Sequence, residues 1–373
     1  MAGISRGRSR RDVLGLAAGG LAGALLWGTS GCATTTVGTA TGRKKMRIAL
    51  ANSYIGNTWR IEMENQWKAA LQMQPYASLV EGSIYNANNN LRDQSEQMAN
   101  LVSLRVDAIV IDAASPTALN GIIDQAADRG ILVVAFDNTV TTKKAINVNT
   151  DQFKFGELLA SHLVQQLGGK GNVIMVTGVP GTTVDADRNA GAERVWKKHP
   201  GIKVVSRYTG MWDSSVAQKN TAAILPSLPR IDGIWAQGGT DGILKAFLAA
   251  GRKLPPTCGE SENGFRKFLA GLPGYPKVHG LSIGQPPYLC VVALEVARQV
   301  LRGDYPRRDV TIPFPTVTDK TVQVGKTVFP KVEDSFFTGF TDTGPDPVLQ
   351  MCLGSALTGD PCRQRLHVTL PKG

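Results

Sequence analysis

The sequence predicts an α/β protein made of two doubly wound parallel-sheet lobes joined by a hinge. From Met46 onward, short β-branched apolar runs alternate with helical patterns, which is typical of βαβ units around a parallel sheet buried on both faces. These units form two successive series of similar length and order, and the second begins near Asp151. Two comparable lobes predict a cleft between them, and in open α/β sheets ligands lie outside the carboxyl ends of the strands.

Residues 1–31 have the features of an export leader. The pair Arg10-Arg11 precedes an apolar run from Val13 to Trp27, as in a twin-arginine signal. This run of about 15 residues is short for a ~30 Å hydrocarbon core, which favours a signal peptide over a membrane-spanning anchor. The motif Thr29-Ser30-Gly31-Cys32 resembles a bacterial lipobox. We therefore expect lipidation of Cys32, the alternative being an incidental cysteine in the leader.

Residues 32–45 follow the leader and are predicted to form a flexible tether, because their first part is rich in Thr, Gly and Ala. The chain has 373 residues, which leaves enough for two domains with substantial cores. Its net charge of +11 falls to +8 without the leader, which carries four Arg and one Asp. The remainder has no Lys/Arg block interleaved with aromatic residues, so we expect a solvated basic surface and no nucleic-acid partner.

Four cysteines remain after Cys32, and none has the C-x-x-C spacing of a metal site. Disulfides persist in exported proteins. A Cys352–Cys362 bridge closing a short loop is one interpretation, but connectivity does not follow from sequence.

The predicted first lobe comprises residues 46–150 plus 286–316, and the second lobe comprises residues 151–285 plus 317–373 with a C-terminal tail. The chain is expected to cross between lobes near Thr150, Gln285 and Thr316. The tail is rich in Pro, Gly, Thr and charge and has no helical period, so it is predicted to wrap around the lobes.

Polar and aromatic residues recur where the predicted strands end. They follow the first strand at 52–60 and the fourth strand at 136–138, and they recur at 185–189, 211–213 and 235–241. A sugar presents apolar C–H faces and hydroxyls that both donate and accept hydrogen bonds. Aromatic rings together with Asp, Asn, Gln and Arg are the side chains that such a ligand needs.

These positions resemble the periplasmic binding proteins for ribose, galactose and related sugars, over Met46 to about Thr316. The resemblance implies a type I periplasmic binding protein-like fold. The ligand-contacting residues that it implies in the first lobe are Ser53, Asn57, Trp59, Arg60, Asp137 and Asn138. Arg60 stands where the family has a second aromatic residue, and Asn138 stands where it has an arginine.

In the second lobe the resemblance implies ligand contacts through Arg188 of a Gly-Thr-x-x-x-x-x-Arg loop, through Trp212 as an aromatic wall and through Gln285 beside the hinge. Gly238-Gly239 replaces the family's Asn-Asp, and Asp241 is the candidate to compensate. Glu260 is the candidate for a later family Asp.

Each of these residues also has a simpler interpretation. Trp59, Trp212 and Trp235 could pack in a core, which is the favoured interpretation for Trp235 alone; Asp137 could begin a turn, Arg188 could form a surface ion pair, and Asn57 could be a helix N-cap. Their clustering at successive strand ends favours a binding site.

Three function classes fit this pattern. The first is an exported solute-binding protein that delivers a small sugar to an ABC importer, the second a sensory binding protein that signals to a membrane receptor, and the third a secreted sugar-modifying enzyme. A neighbouring permease and ATPase gene pair would separate the first two. No nucleophile is paired with a base, so we expect no enzyme activity. The resemblance implies a monomer that binds a monosaccharide or derivative, an ABC permease as partner, and no cofactor or metal.

Overall fold

The computed structural model describes residues 44–338 and Leu370, and it contains two six-stranded sheets. The leader, Cys32 and the Cys352–Cys362 pair lie outside the described residues. Among the described residues, no helix has both the length and the hydropathy needed to cross a membrane.

Strands and helices alternate through most of the described chain. The strands are β1 Met46–Asn52, β2 Val80–Asn86, β3 Ala108–Asp112, β4 Leu132–Phe136, β5 Ile146–Asn149, β6 Gly171–Thr177, β7 Ile202–Thr209, β8 Gly233–Ala236, β9 Thr257–Glu260, β10 Gly280–Ile283, β11 Val310–Thr311 and β12 Thr316–Thr318. The helices are α1 Thr58–Leu71, α2 Tyr76–Leu79, α3 Leu91–Leu104, α4 Asn120–Asp128, α5 Gln152–Gln166, α6 Thr183–Lys198, α7 Ser214–Ile224, α8 Thr240–Ala249, α9 Asn263–Ala270 and α10 Leu289–Arg302.

Both sheets have the same strand order over their first five strands. The first sheet runs β11-β5-β4-β3-β1-β2 and the second runs β12-β10-β9-β8-β6-β7. All pairs are parallel except that of the edge strand β12, which is antiparallel to β10. The predicted fold class of two doubly wound lobes is confirmed.

Three connections link the sheets. They join β5 to α5, β10 to α10, and β11 to β12. Helix α10 packs on the first sheet, because its apolar face from Leu289 to Ala297 shares a core cluster with residues of β1, β3 and β4. The chain therefore passes between the lobes at three adjacent points, which is the connectivity of a hinge.

Each sheet carries a core on both faces. Strands β3 and β4 are buried at every residue, and their sequences AIVID and LVVAF are dominated by apolar residues. The residues of these strands do not alternate between apolar and polar, because helices cover the sheet on both sides.

The structure differs from the sequence prediction in two elements. The apolar pattern of residues 77–82 favours a strand, whereas the structure has the short helix α2 up to Leu79 and begins β2 only at Val80, extending it to Asn86. β2 lies at the sheet edge and is half-exposed, so its polar second half lacks the apolar signal of the central strands. Helix α9 was not predicted, although Phe265, Phe268 and Leu269 have helical spacing and are buried.

Helices α5 and α6 of the second lobe are in close contact through glycines. A Cβ atom on Gly156 would lie 1.9 Å from the backbone oxygen of Arg188, and one on Gly191 would lie 2.0 Å from the oxygen of Phe153. The two glycines therefore set how closely α6, which carries Arg188, approaches α5.

We expect Gly191→Ala to lower the free energy of unfolding by about 1–3 kcal/mol, because the added methyl group meets backbone that cannot rotate away. The control is Gly121→Ala in α4, where no atom lies within 4 Å of the added Cβ. That change should leave stability unchanged or raise it by up to about 1 kcal/mol. Urea unfolding measures both, and equal effects of the two substitutions would contradict the close packing of α5 on α6.

Candidate functional site

A cavity lies between the carboxyl ends of the strands in the two lobes. The cavity opens to solvent and, with that open part included, has an empty volume of about 310 Å³. Its lining consists of Asn57, Trp59, Arg60, Asp137, Val184, Arg188, Trp212, Glu260, Gln285 and Phe337. Eight of these ten residues are among the predicted site residues, so the structure brings most of that set together.

Asn57 and Arg60 enter the cavity from the start of α1. Asn57 is the N-cap of the helix, and its Oδ1 accepts a hydrogen bond from the Arg60 backbone N–H at 3.0 Å. Asn57 thus combines a capping role with a place in the cavity lining.

The Arg60 guanidinium is buried and ion-paired. Its Nη1 donates to Asn52 Oδ1 at 2.6 Å and forms a short hydrogen bond with Asp112 Oδ2. Asp137 Oδ2 lies 3.9 Å from Nη2. The guanidinium also lies 5.0 Å from the centre of the Tyr54 ring. Arg60 is therefore a buried cation held between carboxylates and an aromatic ring.

Two carboxylates share this one cation. Burial raises the pKa of Asp112 to about 7, with the Arg60 charge opposing and the nearby Asp137 charge adding to the rise. Asp112 was not singled out from the sequence, although it carries the same signal as Asp137, a carboxylate at the carboxyl end of a buried apolar strand.

Asp137 follows β4 in a left-handed backbone conformation, with φ of 56°. Non-glycine residues are uncommon in this region and are often found at functional sites. Its Oδ1 accepts a hydrogen bond from Gln285 Nε2 at 2.7 Å, and its Oδ2 accepts one from Asn138 Nδ2 at 3.1 Å. Asp137 is therefore more than the first residue of a turn, since its side chain contacts the second chain crossing.

Gln285 contacts both lobes from the crossing after β10. Its Nε2 also donates to Asn149 Oδ1 at 3.0 Å, and its Oε1 accepts from Thr150 Oγ1 at 2.7 Å. Its backbone oxygen accepts a hydrogen bond from Trp59 Nε1 at 2.9 Å, and its backbone N–H donates to Glu260 Oε1 at 3.2 Å. One residue thus links the cavity walls of both lobes.

Arg188 is the buried cation of the second lobe. Its Nε donates to Gln152 Oε1 at 2.7 Å, and its Nη1 donates to Glu260 Oε2 at 2.8 Å and to the Gln237 backbone oxygen at 3.0 Å. The guanidinium stacks 3.7 Å from the Phe155 ring centre. A surface ion pair is excluded, because both partners are almost fully buried.

Glu260 balances the Arg188 charge. Burial raises the pKa of its carboxyl, and the Arg188 charge opposes that rise. Its two oxygens bind Arg188 and the Gln285 backbone, so the carboxylate is held in place from two elements.

Trp212 forms a wall that depends on two glycines. A Cβ on Gly178 would lie 2.1 Å from indole Cε2, and one on Gly238 would lie 3.1 Å from Cδ1. The indole Nε1 donates to Gln237 Oε1 at 3.2 Å, and Trp212 itself has φ of 53°. Any side chain at Gly178 would displace the ring, so the glycines preserve the flat face of the wall.

Three predicted site residues do not line the cavity. Ser53 is buried, and its backbone oxygen accepts from the Asn89 N–H at 2.7 Å. Asn138 is buried and donates to Asp112 Oδ1 at 2.9 Å. Asp241 is buried and paired with Lys245 at 2.7 Å. Each of them stabilises surrounding structure in this conformation.

The residue that lies against Gly238-Gly239 is Glu262. Its Oε1 accepts hydrogen bonds from the backbone N–H groups of Gly239, at 2.5 Å, and Thr240, at 3.3 Å. A Cβ on Gly238 would lie 3.4 Å from the same oxygen. Burial raises the pKa of Glu262 to about 8, and the Glu260 and Asp241 charges add to the rise. Glu262 lies in the loop before α9, and the sequence pattern did not predict its contact with the Gly238-Gly239 segment.

Val184 and Phe337 also line the cavity and were not predicted. Val184 lies in the first turn of α6, within the loop that was identified by its Arg188. Phe337 belongs to the tail, which has no periodic pattern to place it. Within residues 44–338, no three His, Cys, Asp or Glu side chains form a group suited to bind a metal ion.

Comparison with known proteins gives one family and several relatives. Residues 48–304 match the family described as a periplasmic binding protein domain. The xylitol-binding protein of Mycolicibacterium smegmatis is 28% identical over 245 residues, covering 64% of this chain and 69% of that protein. The ribose import binding protein of Bacillus subtilis is 22% identical over 281 residues, covering 74% and 89%.

Among solved structures, an ABC transporter solute binding protein from Thermobispora bispora is 27% identical. It superposes with a TM-score of 0.68, and the match covers 87% of this chain and 99% of that one.

Proposed function

Because the chain belongs to the periplasmic binding protein family, we propose that it captures one small sugar between its lobes and delivers it to an ABC importer. The named relatives bind xylitol and import ribose. We propose a ligand of that class, a monosaccharide or a related polyol.

The observation that carries this proposal is the meeting of opposite charges from the two lobes in one cavity. Asp137 comes from the first lobe and Arg188 from the second, and both line the space beside Trp59 and Trp212. The carboxylate accepts hydrogen bonds from hydroxyls and the guanidinium donates to them, so a sugar satisfies both. Arg188 Nη2 has no hydrogen bond among the described residues, which leaves it available to the ligand.

Closure of the hinge follows from this arrangement. A ligand that contacts both walls favours the closed state only through contacts that are missing when the lobes are apart. The Gln285 contacts to Asp137 and Thr150 lie at the crossings, so they stay close to the axis of such a motion. We propose that the permease recognises the closed form and that the protein acts as a monomer.

Binding without turnover fits the paired state of the cavity. The Arg60 and Arg188 cations each face a carboxylate, at Asp112 and Glu260. These paired side chains can form hydrogen bonds with a sugar, but each carboxylate is occupied by its arginine and is not positioned as a general acid or base for the sugar. We therefore propose that a bound sugar leaves unchanged.

Asp137→Asn and Arg188→Lys should each weaken affinity about tenfold to a hundredfold. A hydrogen bond to a charged group is worth about 1.5–3 kcal/mol, at ~1.4 kcal/mol per decade of affinity. Asn keeps the size of Asp137, and Lys keeps the charge facing Glu260 but loses the planar fork. A thermal-shift screen of pentoses, hexoses and polyols identifies the ligand, and calorimetry measures each variant.

The matched control is Lys197→Ala, which changes an exposed residue of the helix that carries Arg188. It should leave affinity within about twofold of wild type. Wild-type affinity in both cavity variants would place the sugar elsewhere, and recovery of a converted sugar would contradict a binder without turnover.

Export and anchoring are proposed from the leader. Arg10→Lys combined with Arg11→Lys should leave unprocessed precursor in the cytoplasm, because twin-arginine export requires the arginine pair. Cys32→Ser should abolish labelling with radioactive palmitate. Fractionation and labelling of cells measure these outcomes. Normal export of the double-lysine variant would overturn the twin-arginine proposal, and an unlabelled wild type would overturn the lipid anchor.

A further inference from the structure

The tail segment, residues 323–338, reaches the cavity from outside the region that matches the family. That match ends at residue 304, whereas Phe337 lines the cavity together with Trp59 and Trp212. The Phe337 side chain is 3% exposed.

The tail segment is bound firmly to the second lobe. The buried Asn263 side chain donates from Nδ2 to the backbone oxygens of Phe329 and Val332, both at 2.9 Å. Lys267 Nζ donates to Asp334 Oδ1 at 2.8 Å. These contacts fix the segment against α9.

The last residues of the segment add a strand-like contact to the same lobe. The Thr338 N–H donates to the Ser261 oxygen at 2.9 Å, and Phe337 pairs with Glu262 in an antiparallel bridge. Phe337 is therefore placed directly beside the loop that follows Glu260, the last residue of β9.

Phe337 also meets the first lobe. Its backbone N–H donates to Glu62 Oε1 at 2.9 Å, and its ring belongs to the apolar cluster formed by β1, β4, α1 and α10. Glu62 follows Trp59 by three positions on α1, so the two side chains share a face of that helix. The buried Glu62 carboxyl has its pKa raised well above the usual range by desolvation, with the Phe337 N–H opposing.

We propose that the tail segment is part of the sugar site, with Phe337 supplying an apolar wall that is carried by the second lobe and seated on the first lobe through Glu62. This inference rests on the proposed sugar-binding function. Phe337 has no polar atom in its side chain, so the ligand presents C–H surface to it, while its hydroxyls meet the Asp137 and Arg188 side of the cavity. The family domain alone then forms an incomplete site.

The first test compares two rings of the same segment in the full mature chain. Phe337→Ala should weaken binding at least about tenfold, because about 1.5 kcal/mol or more of apolar contact is lost. Phe329→Ala removes a partly buried ring of the same segment that does not line the cavity, and it should change affinity less than about twofold. Calorimetry uses the tightest binder among xylitol, D-ribose, D-xylose and D-galactose.

Equal affinities for Phe337→Ala and wild type, or equal losses of affinity in Phe337→Ala and Phe329→Ala, would overturn the proposal that Phe337 forms a wall of the sugar site. Failure of wild type to bind any of the four probes would count against the proposed function. The second test would then still show whether the tail segment contacts the first lobe through Glu62.

The second test needs no sugar. Glu62→Ala should speed hydrogen exchange of the Phe337 amide at least about tenfold in the free protein, while the Thr338 amide, bonded to Ser261, should stay protected. Unchanged Phe337 exchange in the Glu62 variant would show that the segment is not seated on the first lobe.

Discussion

Gln285 connects the two lobes through its side-chain amide and its backbone N–H, and the geometry of the cavity depends on it. A carboxamide offers two N–H donors and one acceptor oxygen. Here the donors bind Asp137 and Asn149, and the oxygen binds Thr150. Its backbone N–H meets Glu260. Every polar atom of this side chain has a partner in the first lobe, and the backbone N–H has one in the second lobe. Gln285 therefore fixes the position of both cavity walls relative to the crossing between the lobes.

The charged residues of the cavity are also held in place by fixed partners. An unpaired buried charge is costly, and the Arg60 and Arg188 cations are accordingly matched with Asp112 and Glu260, one pair in each lobe. A ligand therefore meets polar groups whose positions are already set by their partners. Ordering such side chains only upon binding would cost affinity, and this arrangement avoids part of that cost.

Much of the fold and the site could be predicted from the sequence. The central strands are continuous apolar runs, so the doubly wound lobes were predictable, and polar residues at strand ends identified Asp137, Arg188 and Gln285 as candidates. Asp112 also ends an apolar strand and so had the same signal, but its pairing with Arg60 could not be predicted, because only the fold brings the two side chains together. Phe337 could not be predicted either, since its place depends on hydrogen bonds from Asn263 to backbone oxygens of the tail, which no side-chain pattern encodes.

A crystal structure of the mature protein with its tightest-binding sugar tests the central claim most directly, namely that one ligand joins the two lobes. The account predicts hydroxyls of a single sugar within about 3.2 Å of both the Asp137 carboxylate and the Arg188 guanidinium, with an aromatic ring against its C–H face. A sugar that contacts only one lobe, or that binds outside this cavity, would contradict the account.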